Sequence, residues 1–238
     1  MVQGGPGGSL REVRMGAAAG RGDGPVSQST HAYEQVKAEI IARELGPGVH
    51  LNEVRLAERI GVSRTPLRAA LQRLDREGLV RTVSGRGAFV SELSLSDVRH
   101  LFQLREALET HAARLCARSS RREEFGELER EFTDQHAVLA RDAGDSRLDG
   151  YYALAEELDR RIDEMVANPY LTGAMAPIRD QLRRLRRIAR RSPERVLRSA
   201  LEHSALCRAI ADGEEDAAAA ASALHVNNSL RHILDTAT

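Results

Sequence analysis

The sequence predicts a mainly α-helical protein in two parts: a small helical unit closed by a β-hairpin, then a longer all-helical bundle. Three observations carry this expectation. Ala, Leu, Arg and Glu dominate a 238-residue chain in which 3% of residues are aromatic and Trp is absent, a usage that favours helices. A strand-like composition occurs around residues 79–91 and does not recur after Leu93. The chain length and a 42% hydrophobic content support a real core, better divided between two modest domains than held in one.

Residues 1–29, rich in Gly, Ser and Pro and nearly devoid of large apolar groups, read as a disordered tail whose arginines either touch a phosphate backbone or are simply solvated. From His31 the pattern changes: Tyr33, Val36, Ile40 and Leu45 fall near one helical face, and the Gly-Pro-Gly at 46–48 stops that helix. Asn52 can cap a second short helix whose Leu56, Ala57 and Ile60 face inward, with Gly61 at its end. Ser63 can cap a third, from about Arg64 to Glu77, with Pro66 in its first turn, where a missing N–H costs least. After Gly78, two β-rich runs flank Ser84-Gly85-Arg86-Gly87, the composition of a hairpin tip that needs positive φ. Helix, helix, tight turn, helix, hairpin is the order of a winged helix-turn-helix, and it places a first domain at 30–92. Residues 93–238 form the second, all-helical domain, with helices near 95–118, 122–143, 148–167, 170–191, 194–212 and 215–236 between breakers such as "DAGDSRLDG", "NP", "SP" and "DGEED".

The 35 basic and 35 acidic side chains cancel, so a nucleic-acid surface must arise from local segregation. The third helix supplies it. Arg64, Arg68 and Gln72 share one face while Leu67, Leu71 and Leu74 share another, and no acid lies between Ser63 and Arg73. Such a helix fits a major groove, where arginines near its N-terminal end bond guanine edges or phosphates, and Ser63 and Thr65 suit phosphate oxygens. Arg86, flanked by glycines at the wing tip, can enter an adjacent minor groove. Cys116 and Cys207 sit beside apolar residues in helix-like segments, the setting of reduced, buried thiols. No run approaches the ~18 apolar residues of a membrane span and no basic-then-apolar leader is seen, so the expected setting is cytoplasmic, without a membrane partner.

The stretch "LNEVRLAERIGVSRTPLRAALQRLDREGLV" followed by "GRGAFV" resembles the GntR family of bacterial transcription regulators over about 60 residues. The resemblance assigns DNA contacts to Ser63, Arg64, Thr65 and Arg68 and to Gly85, Arg86 and Gly87 of the wing. Val54 stands where many members carry an operator-reading Arg, and Arg55 beside it is the alternative contact. Residues 93–117 look like the first helix of the FadR-like branch, whose helical effector domain is called FCD. Its "R-x-x-L-E" pattern is matched by Arg105, Leu108 and Glu109, and Arg105 either pairs with a ligand carboxylate or bonds Glu109 at i+4.

His203 and His225 flank "DGEED" symmetrically, so an antiparallel helical hairpin brings them to one height, as a structural pair or as a site. Resemblance implies a divalent metal, Zn²⁺ or a similar ion, because many FCD domains use an Asp, a His four residues later and two further His. His203 and His225 match the last two. Counted without gaps, the first His falls on Asp159 and the Asp on Ala155; a shifted alignment makes Asp159 the acid and Asp163 the altered His. The expected metal ligands are thus Asp159, His203 and His225, an incomplete set with open positions, and these three with Arg105 are the expected effector site. His111 either lines the cavity or is buried structurally. The arginine-rich 178–191 keeps an apolar seam of Ile178, Leu182, Leu185 and Ile188, expected as a packed helix with a solvated basic rim, one or two arginines of which can face an anionic effector.

No nucleophile elbow, His-Glu-x-x-His, phosphate-cradling Gly loop or nucleophile–base pair occurs, which argues against an enzyme. The reading is a homodimeric repressor that binds a near-palindromic double-stranded operator under control of an organic-acid effector. The alternatives are a constitutive DNA binder with a decayed pocket and a metal-dependent enzyme.

Overall fold

The computed structural model describes residues 25–142, 144–189 and 192–236. The first helix, α1, is Pro25–Ile41. Residues 25–29, assigned above to the tail, are therefore helical, and the rest of that tail lies outside the described residues. A proline suits a first helical position, and the polar residues after it need only extend a helix whose buried Ala32, Tyr33, Val36 and Ile40 anchor the next turns.

Local signals bound the following elements. The Asn52 side-chain oxygen accepts from the N–H groups of Val54 and Arg55, each at 3.1 Å, and opens α2, Glu53–Ile60. Gly61, at φ 78°, closes it in the left-handed conformation. Ser63 is extended at the N-cap of α3, Arg64–Arg76, but its side chain makes no capping bond. Leu67, Leu71 and Leu74 of α3 pack with Val36, Ile40, Leu79, Val80 and Val90 into one apolar core.

The hairpin consists of β2, Val80–Val83, and β3, Gly87–Val90, paired antiparallel with Thr82 opposite Ala88. A third strand that the sequence did not announce, β1, His50–Leu51, adds to the other edge and gives the order β1-β3-β2. Two residues are too few to show alternation; what holds them is the burial of Leu51 and the His50 ring 4.9 Å from Phe89. At the tip, Gly85 and Gly87 have φ of 72° and 92°. A side chain at Gly87 would also meet the Nε2 of the exposed His50 ring at 2.8 Å, a contact the ring can relieve by turning, so it is the backbone conformation that needs glycine here.

The second part comprises α4, Leu95–Arg118; a 3₁₀ turn, Arg122–Glu124; α5, Phe125–Arg141; α6, Asp145–Val166; α7, Pro169–Ala189; α8, Pro193–Asp212; and α9, Glu215–Thr236. Ser94 and Asp97 form a reciprocal capping box at the start of α4. Gly213, at φ 79°, ends α8 and turns the chain into α9. Helix α4 packs on α9, α5 on α8, and α8 on α9. Phe125, Phe132, Cys116 and Ile210 are fully buried in the main core. Both cysteines are free and buried, and burial, followed by the charge of Asp163, pushes the Cys116 thiol up to about 12.

Helix α7 joins the two parts. Its Ile178, Leu182 and Leu185 are buried in an apolar cluster with Phe102 of α4 and Val226 of α9. The intervening Asp180, Gln181 and Arg184 reach the N-terminal part instead. Asp180 pairs with Lys37 of α1 at 2.5 Å. Gln181 Nε2 donates to the Gly78 carbonyl at 2.9 Å, just past the end of α3. Arg184 donates to the Ser91 carbonyl at 2.6 Å and to Gln181 Oε1 at 2.8 Å. Burial disfavours the charge on Lys37, yet its bonds to Asp180 and Tyr33 raise its pKa above the ordinary lysine value. The expectation of a solvated basic rim is corrected at two positions: Arg179 and Arg184 are buried, with carboxylate or carbonyl partners that compensate desolvation, while Arg183 is partly exposed and the other arginine side chains lie outside the described residues. The side chain of Ile188 lies outside the described residues.

Candidate DNA interface and effector cavity

Ser63, Arg64, Thr65 and Arg68 of the α3 region are exposed, as are Gly85, Arg86 and Gly87 at the wing tip and Arg55 on α2. Exposure follows from the packing of the opposite α3 face, where Pro66, Leu67, Ala70, Leu71 and Leu74 are buried. Helix α2 contributes an acid that inspection of α3 alone had missed. Glu53 Oε2 accepts from Arg68 Nε at 2.7 Å and from Arg64 Nη2 at 3.3 Å. Burial alone would raise the Glu53 carboxyl, but these two bonds hold it below its usual range. The arginine pair is therefore held in place by a carboxylate that a phosphate or a base edge can replace.

The base of α3 is braced as well. Tyr33 OH donates to Glu77 at 2.8 Å, the Arg73 guanidinium lies 3.5 Å from the Tyr33 ring centroid, and Thr82 N donates to Asp75 Oδ1 at 3.2 Å. Helix and wing are thus tied to each other and to α1.

In the helical domain, the α8–α9 hairpin brings His203 and His225 together, with their Nε2 atoms 3.2 Å apart. His225 Nδ1 lies 2.8 Å from Glu202 Oε2, and His203 Nδ1 lies 3.4 Å from Tyr151 OH. One assignment of protons satisfies all three contacts with both rings neutral: Tyr151 donates to His203 Nδ1, His203 Nε2–H donates to His225 Nε2, and His225 Nδ1–H donates to Glu202. Glu202 is held in turn by Arg195, at 2.7 and 2.9 Å, and by Asn228 Nδ2 at 2.9 Å. Arg195 also donates to Ser229 Oγ at 2.9 Å. Tyr151, Arg195, Glu202 and Ser229 were not singled out from sequence. The seven-residue spacing of Arg195 and Glu202, two turns of one helix, was the available signal.

These groups border two adjoining cavities. One, of about 60 Å³, is lined by Phe102, Arg105, Tyr151, His203, His225 and Leu182 among others. The second, of about 30 Å³, adds Asp159 and Glu109 and shares Arg105, Ala155, His203 and His225 with the first. All four expected effector residues, Arg105, Asp159, His203 and His225, therefore line one cavity wall. Arg105 is buried and donates to Glu109 at 2.8 Å, so the i+4 pair forms inside the domain and not on its surface. His111 is exposed and is neither a cavity residue nor a buried one, because Ala112 and Ala113 take the inward face of α4 there.

The expected metal set is not assembled. Among the described residues no group of three or more His, Cys, Asp or Glu side chains is arranged to hold a metal ion. Asp159 faces Arg179 Nε at 3.5 Å, and Asp163 also pairs with that guanidinium, which takes the carboxylates of α6 as its counter-ions. Ala155, one turn before Asp159, presents a methyl group to both cavities. As arranged, the two imidazoles lack a third ligand for a metal ion, because Asp159 is turned to Arg179.

Residues 28–90 match the family described as bacterial regulatory proteins, gntR family, and residues 100–228 match the FCD domain. The Nta operon transcriptional regulator of Aminobacter aminovorans is 32% identical over 196 residues, which span 79% of this chain and 86% of that one. The HTH-type transcriptional repressor RspR of Escherichia coli K12 is 27% identical over 141 residues, 59% of each chain. In fold, the chain is similar to E. coli McbR/YncC, with a TM-score of 0.71 at 17% identity over 90% of this chain and all of that one. A putative GntR regulator from Rhodococcus sp. RHA1 gives a TM-score of 0.67 at 20% identity over 88% and 98%. No helix among the described residues is long and apolar enough to cross a membrane. With a helix-turn-helix and wing in front of an effector-binding helical domain, the chain belongs to the GntR family of transcriptional regulators, in the group that carries an FCD domain, and is a regulator of transcription and not an enzyme.

Proposed function

We propose that the protein is a cytoplasmic, homodimeric repressor whose affinity for a near-palindromic operator is set by a small carboxylate bound in the cavity of the helical domain. One observation carries this reading: α7 presents Leu182 and Leu185 to the cavity, while Asp180, Gln181 and Arg184, interleaved with them, grip α1, the end of α3 and the end of the hairpin. An occupant that displaces the two leucines acts on the contacts that hold the DNA-reading helix. Such a ligand switches DNA affinity only if it binds the gripped and released arrangements unequally. Ser63, Arg64, Thr65 and Arg68 would contact the major groove, Gly85, Arg86 and Gly87 the neighbouring minor groove, and Arg55 the backbone. Arg105 would meet the effector carboxylate in exchange for Glu109, with His203 and His225 beside it.

The test is a panel of mono- and dicarboxylates scored twice, by thermal melting of the protein and by fluorescence anisotropy of DNA selected by the protein from a random library. A carboxylate that raises the melting temperature is expected to change the DNA dissociation constant. Carboxylates that bind and leave DNA affinity untouched would support the constitutive binder instead.

The convergence of the two Nε2 atoms favours a second reading, in which Zn²⁺ replaces the proton between His203 and His225 and Asp159 leaves Arg179 to join them. Titration with Zn²⁺, Ni²⁺ and Mn²⁺ decides it. A melting-temperature rise lost in His203→Ala/His225→Ala supports the metal, and no rise with any of the three removes it.

A further inference from the structure

A third cavity, of about 180 Å³, opens on the α8–α9 surface, outside the effector cavity. Arg195 and His232 line both this pocket and the inner one, so these two side chains form the wall between them. The outer pocket has an excess of positive charge. Arg195 and Glu202 neutralise each other through two hydrogen bonds, which leaves Arg198 and Arg231 opposed by Asp235. Among the described residues neither Arg198 nor Arg231 makes an ion pair or a side-chain hydrogen bond. His232 also lines the pocket, with its Nε2 buried away from the opening and without a hydrogen-bond partner. Asn228 lines the same pocket, with one amide proton committed to Glu202 and its other one available.

We propose that this pocket binds a small oxyanion, a phosphate or a carboxylate group, between Arg198 and Arg231, with Asn228 adding a hydrogen bond and His232 in the wall behind it. Two guanidinium forks and an amide are donors that suit such an anion, and the pocket has room for it. The site is distinct from the effector cavity and does not depend on what that cavity binds. The shared wall gives it a consequence: an anion drawn to Arg195 competes with Glu202, the group that orients His225.

The probes are inorganic phosphate and citrate, each titrated at constant ionic strength against chloride and followed by thermal melting of the full chain. At about ten times the dissociation constant the expected rise is roughly 3–5 °C. It should vanish in Arg198→Gln/Arg231→Gln and persist in Arg130→Gln/Arg141→Gln, which removes the same charge from exposed positions elsewhere. A response to phosphate alone identifies a phosphate group as the ligand, and a response to citrate alone a carboxylate. The ¹⁵N resonances of His232 give a second readout and should move with the anion in the wild type. No rise above chloride with either anion, or an equal rise in both double variants, overturns the proposal.

Discussion

Glu53 decides what the recognition-helix arginines can do before DNA arrives. Its carboxylate holds Arg64 and Arg68 in an extended, exposed arrangement and lowers the local positive charge. In the proposed complex, Arg68→Ala should weaken binding to selected DNA roughly 5- to 150-fold, the range of a base or phosphate contact of about 1–3 kcal/mol. Glu53→Gln should strengthen binding to unrelated DNA, because it removes a competing acceptor and a like charge from the surface facing phosphates. Anisotropy titrations at two salt concentrations check both, and equal affinities for all three proteins would place the DNA elsewhere. His232 makes a prediction about pH. Burial, then the charges of Arg195 and Arg198, depress its pKa below the ordinary 6.5. The unfolded chain therefore binds the proton more tightly than the folded one, so this residue's contribution is complete above pH 6.5 and is lost as the pH falls from there through the depressed folded value. Urea unfolding at pH 7.5 and pH 5 should show a smaller acid loss in His232→Gln than in the wild type.

Among the elements, α7 has the strongest dual character, with a cavity face and a domain-gripping face on the same turns. Gln181→Ala/Arg184→Ala removes the hydrogen bonds to the Gly78 and Ser91 carbonyls, at a cost of about 0.5–1.5 kcal/mol for the amide bond and about 1.5–3 kcal/mol for the charged one. The expected outcome is a lower urea midpoint for the N-terminal domain while the helical domain unfolds as before; a single unchanged transition would mean that the two parts do not depend on this grip. This feature was not legible in the sequence. The apolar seam of Ile178, Leu182 and Leu185 could be read from 3.6-residue periodicity, but a guanidinium or amide between seam positions has the same pattern whether it meets water or another domain's carbonyl. The helices themselves were legible because breakers such as Gly213 and caps such as Asn52 act locally. Strand β1 was not, since its two residues are held by Phe89 and Ala88, about forty residues away in sequence.

At the scale of the whole molecule, a DNA-reading unit and a chamber are joined by a helix that belongs to both. The meeting of His203 and His225 was foreseeable from their symmetric placement about the α8–α9 turn, because antiparallel helices fix relative height. The fate of Asp159 was not, because its counter-ion Arg179 comes from a different helix and no spacing rule reports it. For a symmetric repressor, sedimentation should give two chains per near-palindromic site, and one chain per site would remove the twofold argument. The most direct test combines both domains. Operator affinity is measured by anisotropy with and without a carboxylate that raises the melting temperature, in the wild type and in Gln181→Ala/Arg184→Ala. The account predicts a ligand-dependent change in dissociation constant in the wild type that shrinks or disappears in the variant while the ligand still binds; an equal change in both proteins, or none in either, would contradict it.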